Sequence, residues 1–245
     1  MIVHIVLPVY NEAARLGRLL DAIAEAMGEA GLRYRVIAVD DGSTDATAAI
    51  VQQHQARMPI VLQQHPSNCG LGATIRDGLV AASAAADDRD LIVTMDADDT
   101  HAPGLILRMV RMVSEGHDVV IASRYQPGSK TVGVPLARRA LSRAGSWLLR
   151  LLFPTPGVKD FTCGYRAYRA QVIKEALAQE GARFVDQDGF QCMVDILLKL
   201  RKRHLIFGEV PMILRYDLKA GGTKMRVGRT VVQTLLLAGR RRLGG

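Results

Sequence analysis

Leu91-Ile92-Val93-Thr94-Met95-Asp96-Ala97-Asp98-Asp99-Thr100-His101 reads as a buried strand that runs directly into a cluster of acids. Five residues with no charge among them fit a strand covered on both faces, as parallel strands are. Side chains alternate along a strand, so Asp96 and Asp98 are expected to point to one side. Two converging carboxylates with no Lys beside them suit a hard divalent cation, Mg2+ or Mn2+, which is commonly held by one or two carboxylates together with a substrate's phosphates. A D-x-D triplet arises often by chance, and its surroundings decide its meaning.

Outward from this stretch the same pattern repeats. Expected strands 2–7, 34–39, 59–64, 91–95 and 118–122 alternate with helices 12–29, 44–56, 71–85 and 103–115. Such alternation indicates an α/β fold, a mostly parallel sheet flanked by helices, which binds ligands outside the carboxyl ends of its strands. Tyr10-Asn11-Glu12, Asp40-Asp41-Gly42-Ser43, Asn68-Cys69-Gly70 and Asp96-Ala97-Asp98 all fall at those ends. Ser43 is expected to cap a helix beginning at Thr44. Gly70-Leu71-Gly72 lacks the third glycine of a dinucleotide fingerprint, and a tight approach at a helix N-terminus explains it. His101 reads as structural. Farther on lie a loop at 126–135, an amphipathic segment at 136–153, helices near 170–180 and 188–203, and a strand at 205–213. The 136–153 segment carries Arg138, Arg139, Arg143, Arg150 and Trp147 and no acid, which also suits a helix at an interface.

The 245 residues, 49% hydrophobic, suffice for one substantial core. The net charge of +8 is concentrated at the end, where residues 215–245 hold eight Lys or Arg against one acid, Asp217. Such a tail serves phosphorylated substrates, anionic membranes or nucleic acid; nucleic acid is disfavoured because no aromatic stacking platform accompanies the charge. Three widely spaced cysteines with no C-x-x-C support neither a disulfide framework nor a zinc site and fit a reducing cytoplasm. The N-terminus lacks the basic leader of a signal peptide, and no apolar run reaches the roughly 20 residues of a membrane span.

Taken in order, Pro8-Val9-Tyr10-Asn11-Glu12, Val39-Asp40-Asp41-Gly42-Ser43-Thr44-Asp45, Asp96-Ala97-Asp98, Ser123-Arg124-Tyr125 and Asp160-Phe161-Thr162-Cys163-Gly164-Tyr165-Arg166 resemble the family 2 GT-A glycosyltransferases. Among these the chain is similar to polyprenyl-phosphate (dolichyl-phosphate) mannose or glucose synthases. The resemblance implies a GT-A, Rossmann-like domain at 1–225 and a basic amphipathic helical tail at 226–245, held peripherally at the cytoplasmic face of a membrane or against a membrane-embedded partner. It implies inverting, metal-dependent transfer of a hexose to a polyprenyl phosphate, with GDP-mannose the preferred donor and UDP-glucose next. Pro8, Tyr10, Glu12, Val39, Asp41 and Ala97 would line the donor pocket; Asp41 can accept a base imino hydrogen and Glu12 ribose hydroxyls. Asp96 and Asp98 would hold Mg2+ or Mn2+. Arg124, Arg138 and Arg166 would receive the acceptor phosphate, Arg138 also reaching the donor, and Asp160 would orient acceptor or sugar. Arg215 and Lys224 would reach the diphosphate, with Lys219 competing for the role of Arg215. Thr100 stands where such synthases often carry Gln, which leaves a third protein ligand open, and Cys163 replaces their usual Ser. A transferase with a glycan, glycolipid or small-molecule acceptor, and a weakly active scaffold subunit of a membrane complex, remain the alternatives.

Overall fold

A computed structural model describes residues 1–218 and 227–243, with residues 218, 227, 229 and 243 described in backbone only. The sheet begins with β1 (Ile2–Val9), β2 (Arg33–Asp40), β3 (Ile60–Gln64) and β4 (Leu91–Thr94), separated by α1 (Ala13–Glu29), α2 (Thr47–His54) and α3 (Leu71–Ala85). Then follow α4 (Leu105–Ser114), β5 (Val119–Ser123), β6 (Lys130–Val132), α5 (Leu136–Leu152), β7 (Arg166–Arg169), α6 (Ala170–Glu180), α7 (Cys192–Leu200), β8 (Phe207–Pro211), β9 (Ile213–Arg215) and α8 (Val227–Leu243). Seven strands form the main sheet in the order β3-β2-β1-β4-β7-β5-β8, and β6 pairs with β9 in a small second sheet.

Helix periodicity produces the packing. α1 buries Leu16, Leu19, Leu20, Ile23 and Met27, spaced at three and four residues, and α4 buries Ile106, Met109, Val110 and Val113 in the same way. All four β4 residues are buried, as a central strand between two helical layers requires. α5 differs, since only Ser146 and Leu149 are buried along its 17 residues.

Four expectations need correction. β7 lies antiparallel between β4 and β5, a strand that Arg166-Ala167-Tyr168-Arg169 does not announce. α2 begins at Thr47, because the Ser43 hydroxyl instead accepts the Asn11 N–H at 2.9 Å, while Asp45 takes the Thr47 N–H at 2.9 Å. The expected strand 205–213 is two strands: after Pro211 the Met212 N–H reaches the Ser123 carbonyl, and β9 leaves for the second sheet. The helix expected at 188–203 shortens to Cys192–Leu200.

Candidate active site

A cleft of about 460 Å3 opens over the carboxyl ends of β1, β2, β4 and β5. Its walls include Pro8, Tyr10 and Glu12 from the β1 end, Asp41 from β2, Asp96, Ala97 and Asp98 from β4, and Arg124 from β5. Arg138 on α5, Cys163, Phe190 and Tyr216 also line it.

Asp96 and Asp98 both face the cleft, but not through strand alternation, since β4 ends at Thr94 and both acids lie on the loop beyond. That loop is held in shape locally. Thr100 donates to Asp98 Oδ1 through its hydroxyl at 2.7 Å and its N–H at 3.2 Å, so the hydroxyl sits against a carboxylate already in the pair. Asp99 adopts a left-handed conformation (φ 60°), unusual for a residue with a side chain, and Arg18 Nε on α1 donates to its carboxylate at 2.7 Å. His101 is buried and stacks on Tyr165 with ring centroids 5.0 Å apart. Its Nε2 is 3.9 Å from Asp96 Oδ2. The carboxylate oxygens offered here are the hard donors that Mg2+ and Mn2+ prefer, and the donor set fits such a cation.

Asp41 is buried at the opposite wall, and much of its acceptor capacity is already met by the protein. Its oxygens accept the N–H groups of Cys69 at 2.8 Å and Gly70 at 2.9 Å and face His65 Nδ1 at 2.7 Å. The carboxylate therefore shapes the loop over the cleft as well as lining it. That loop packs against a second one: Gly72 N–H donates to the Asp188 carbonyl at 2.9 Å, and a Cβ on Gly72 would overlap the Gln187 carbonyl.

At the β5 end, Asp160 is completely buried and grips Arg124 with two side-chain bonds, Nε to Oδ2 at 2.8 Å and Nη2 to Oδ1 at 2.7 Å. It also accepts the N–H groups of Arg124, Thr162 and Cys163. Burial alone would raise the Asp160 pKa; the Arg124 charge and these hydrogen bonds outweigh it and hold the carboxyl below its ordinary value. Glu209 on β8 accepts the backbone N–H groups of Lys159 and Asp160 at 2.6 and 2.7 Å, fixing the segment from beneath. Asp160 does not line the cleft, so it positions Arg124 rather than orienting sugar or acceptor. Burial pushes the neighbouring Cys163 thiol up to about 12, which leaves it neutral.

A smaller chamber of about 100 Å3 shares Arg124, Arg138, Leu214 and Tyr216 with the cleft wall and is lined further by Arg139 and Arg143 with Tyr125 and Ser142 and, among the described residues, no acid. Arg138 donates to the Tyr216 hydroxyl at 2.7 Å and lies over its ring at 4.9 Å. Arg138, Arg139 and Arg143 were legible in the acid-free segment around Trp147, and Arg124 in Ser123-Arg124-Tyr125. Tyr216 and Phe190 were missed, as isolated aromatics carry no spacing signal.

Three further expected residues fall elsewhere. Val39 is buried within β2, away from the cleft lining. Arg166 is fully buried on β7, where Nη1 and Nη2 donate to the carbonyls of Met193 at 2.6 Å and Phe161 at 2.8 Å. A buried guanidinium needs such acceptors, and this one ties core segments together instead of meeting an acceptor phosphate. Arg215 turns outward to pair with Asp217 at 2.8 Å, although its N–H holds the Thr100 carbonyl at 3.1 Å. Lys219 and Lys224 lie outside the described residues.

The Glycosyl transferase family 2 profile matches residues 4–177. A dolichol-phosphate mannosyltransferase of Pyrococcus furiosus is 29% identical over 236 residues, 96% of this chain, which spans 62% of that relative's length. An undecaprenyl-phosphate mannosyltransferase of Micrococcus luteus is 32% identical over 240 residues, 93% of this chain and 90% of its own. Polyprenol monophosphomannose synthase of Mycolicibacterium smegmatis is 30% identical over 85% of this chain and 75% of its own. Glucosyl-3-phosphoglycerate synthase from Mycobacterium tuberculosis, solved with Mn2+, uridine diphosphate and glucosyl-3-phosphoglycerate, superposes with a TM-score of 0.70 at 21% identity over 99% of this chain and 80% of that one. That likeness confirms the GT-A-like sheet and its flanking helices. With strand-end motifs converging on one cleft and the family profile spanning most of the residues that build it, the chain belongs to glycosyl transferase family 2.

Proposed function

We propose that this chain transfers a hexose from a nucleotide diphosphate sugar to a polyprenyl phosphate, mannose from GDP-mannose in preference to glucose from UDP-glucose. The observation that carries the reading is a carboxylate-bearing cleft that shares Arg124, Arg138, Leu214 and Tyr216 in its walls with an arginine-lined chamber. The names of the relatives support a mannosyl group and a polyprenyl acceptor. Tyr10, Glu12 and Asp41 would form the nucleoside wall. Asp96 and Asp98 would hold Mg2+ or Mn2+, which when bound offsets charge on the departing diphosphate. A phosphate monoester is largely ionised at neutral pH, its second pKa being about 6. The acceptor therefore needs positive docking groups more than a general base, and Arg124, Arg138 and Arg143 supply them. Its oxygen attacks the anomeric carbon opposite the diphosphate, the carbon–oxygen bond to the diphosphate breaks, and the configuration inverts without a covalent enzyme intermediate.

A lipid acceptor is favoured over a soluble phosphate by the outer surface of α5. Leu136, Leu141, Trp147 and Leu151 are exposed on the helix whose arginines line the chamber, and α8, packed against it, exposes Val232, Leu235 and Leu236. No helix among the described residues is long and apolar enough to cross a membrane. These faces suit peripheral contact with a bilayer surface, the catalytic unit being 1–225 and the tail 226–245 a membrane or partner segment. Incubation with radiolabelled GDP-mannose or UDP-glucose, Mg2+ and a polyprenyl phosphate, followed by solvent extraction, tests the proposal. Label should move into the lipid phase; label confined to water with both donors overturns it.

A further inference from the structure

β2 and β3 run side by side with Asp40 opposite Gln64, so the next residue of each strand, Asp41 and His65, emerge together. The 66–70 loop then folds back over them. Among the described residues, one trio of His, Cys and acidic side chains brings its ligand atoms within 4.8 Å of one another: the Asp41 carboxylate, the His65 ring and the Cys69 thiol. His65 Nδ1 lies 2.7 Å from Asp41 Oδ1, and its Nε2 lies 3.1 Å from Asp77 Oδ2 on α3. Histidines that ligate a metal through one ring nitrogen usually present the other to a carboxylate, which fixes the tautomer and the ring. Asp77 occupies that place here.

We propose that Asp41, His65 through Nδ1, and Cys69 form a Zn2+ site, with Asp77 orienting the imidazole and a fourth position open. Thiolate, imidazole and a single carboxylate make a softer donor set than the paired carboxylates of Asp96 and Asp98, and such a set selects Zn2+ over Mg2+ or Mn2+. Tetrahedral zinc bonds of about 2.0 Å to N and O and 2.3 Å to S place ligand atoms roughly 3.3–3.5 Å apart, so the Asp41 Oδ1–His65 Nδ1 pair at 2.7 Å must open by about 0.6 Å and the thiol, within 4.8 Å of both, must settle at about 3.5 Å. Cys69 is exposed on a loop, and its Sγ–H donates to the Ser67 carbonyl at 3.3 Å. Cys163 and Cys192 do not compete, because burial pushes both thiols up to about 12. The sugar-transfer reading assigns no part to His65 or Cys69; Asp41 is common to both readings, so zinc and a nucleoside would compete for its carboxylate.

The test titrates the metal-stripped chain with Cd2+, a zinc surrogate, in the absence of nucleotide, so its outcome does not depend on what the main cleft binds. A Cd2+–thiolate charge-transfer band saturating at one equivalent is expected. Cys69→Ser should abolish it, and Asp77→Asn should weaken Cd2+ binding roughly 10–100-fold. In the unsubstituted chain, Zn2+ should slow alkylation of Cys69 at least about tenfold, read by peptide mass, while excess Mg2+ should not. Absence of the band, its persistence in Cys69→Ser, or Cys69 alkylation unchanged by Zn2+ overturns the site.

Discussion

Replacing Asp98 with Ala removes one of two cleft carboxylates and leaves the Thr100 hydroxyl without its acceptor. Turnover should fall by on the order of 100-fold or more, while the melting temperature changes little; EDTA should do the same to the parent protein. Full turnover in EDTA would refute the metal's role. Asp160 behaves differently, because its carboxylate sits inside the protein against Arg124. Removing one partner of a buried pair costs about 3–5 kcal/mol, so Asp160→Ala should lower both stability and activity. The pH dependence has a definite sign. Arg124 holds the folded Asp160 carboxyl below the ordinary 3.8, so its contribution is fully present above that value and disappears as pH falls through the folded pKa. Urea unfolding of the parent and Asp160→Asn should therefore differ most at neutral pH and converge in acid below about pH 4. Curves separated equally at all pH values would show that the charge of Asp160 is not what stabilises the fold.

Gly72 lies where α3 begins, and a methyl group there has no space beside the Gln187 carbonyl. Gly72→Ala should displace the 187–188 loop and cost about 1–3 kcal/mol by overpacking, with nucleotide affinity falling alongside, as calorimetry would report. A stable variant with parental affinity would uncouple the two loops. The sequence showed that the helix start was tight, but its neighbour is more than a hundred residues away and leaves no local trace. Much else at this scale was legible. The apolar runs of β1, β2, β4 and β5 and the three-four spacing of α1 and α4 declare themselves because burial on both faces, or along one stripe, is dictated locally. β7 was not legible: four residues with an Arg at each end offer no apolar run, and only the sheet around them makes them a strand. The same blindness put Arg166 on the acceptor side, since a motif shows an arginine's neighbours in sequence and not the carbonyls that enclose it. Ser43 misled for the opposite reason. Its type favours capping, but Asn11 from another strand end claimed its hydroxyl.

At the scale of the whole molecule, α8 is fastened to the core by Arg241, whose Nε and Nη2 donate to the buried Asp195 of α7 at 2.7 and 2.9 Å; Lys199 stands 3.0 Å from the same carboxylate. Truncation after Lys224 should thus remove the helix proposed to face a membrane and also weaken the core. Leu235→Glu with Leu236→Glu separates the effects, because both side chains are exposed. The pair should release the chain from anionic liposomes, sparing nucleotide binding and the melting temperature, with activity falling more on a long-chain lipid phosphate than on a short soluble analogue. Cosedimentation equal to the parent's would move the contact to α5 or to a membrane partner. β7 has a further electrical consequence. Adjacent strands lie about 4.8 Å apart, so interposing β7 sets β4, which leads to Asp96 and Asp98, about 9.6 Å from β5, which leads to Arg124. Were the two strands neighbours, opposite charges at their tips would collapse onto each other. At about 10 Å in water their attraction is only about 0.4 kcal/mol, so Arg124 stays with Asp160 instead of crossing to Asp96 and Asp98, and a cation that binds those two carboxylates need not first break an ion pair with Arg124.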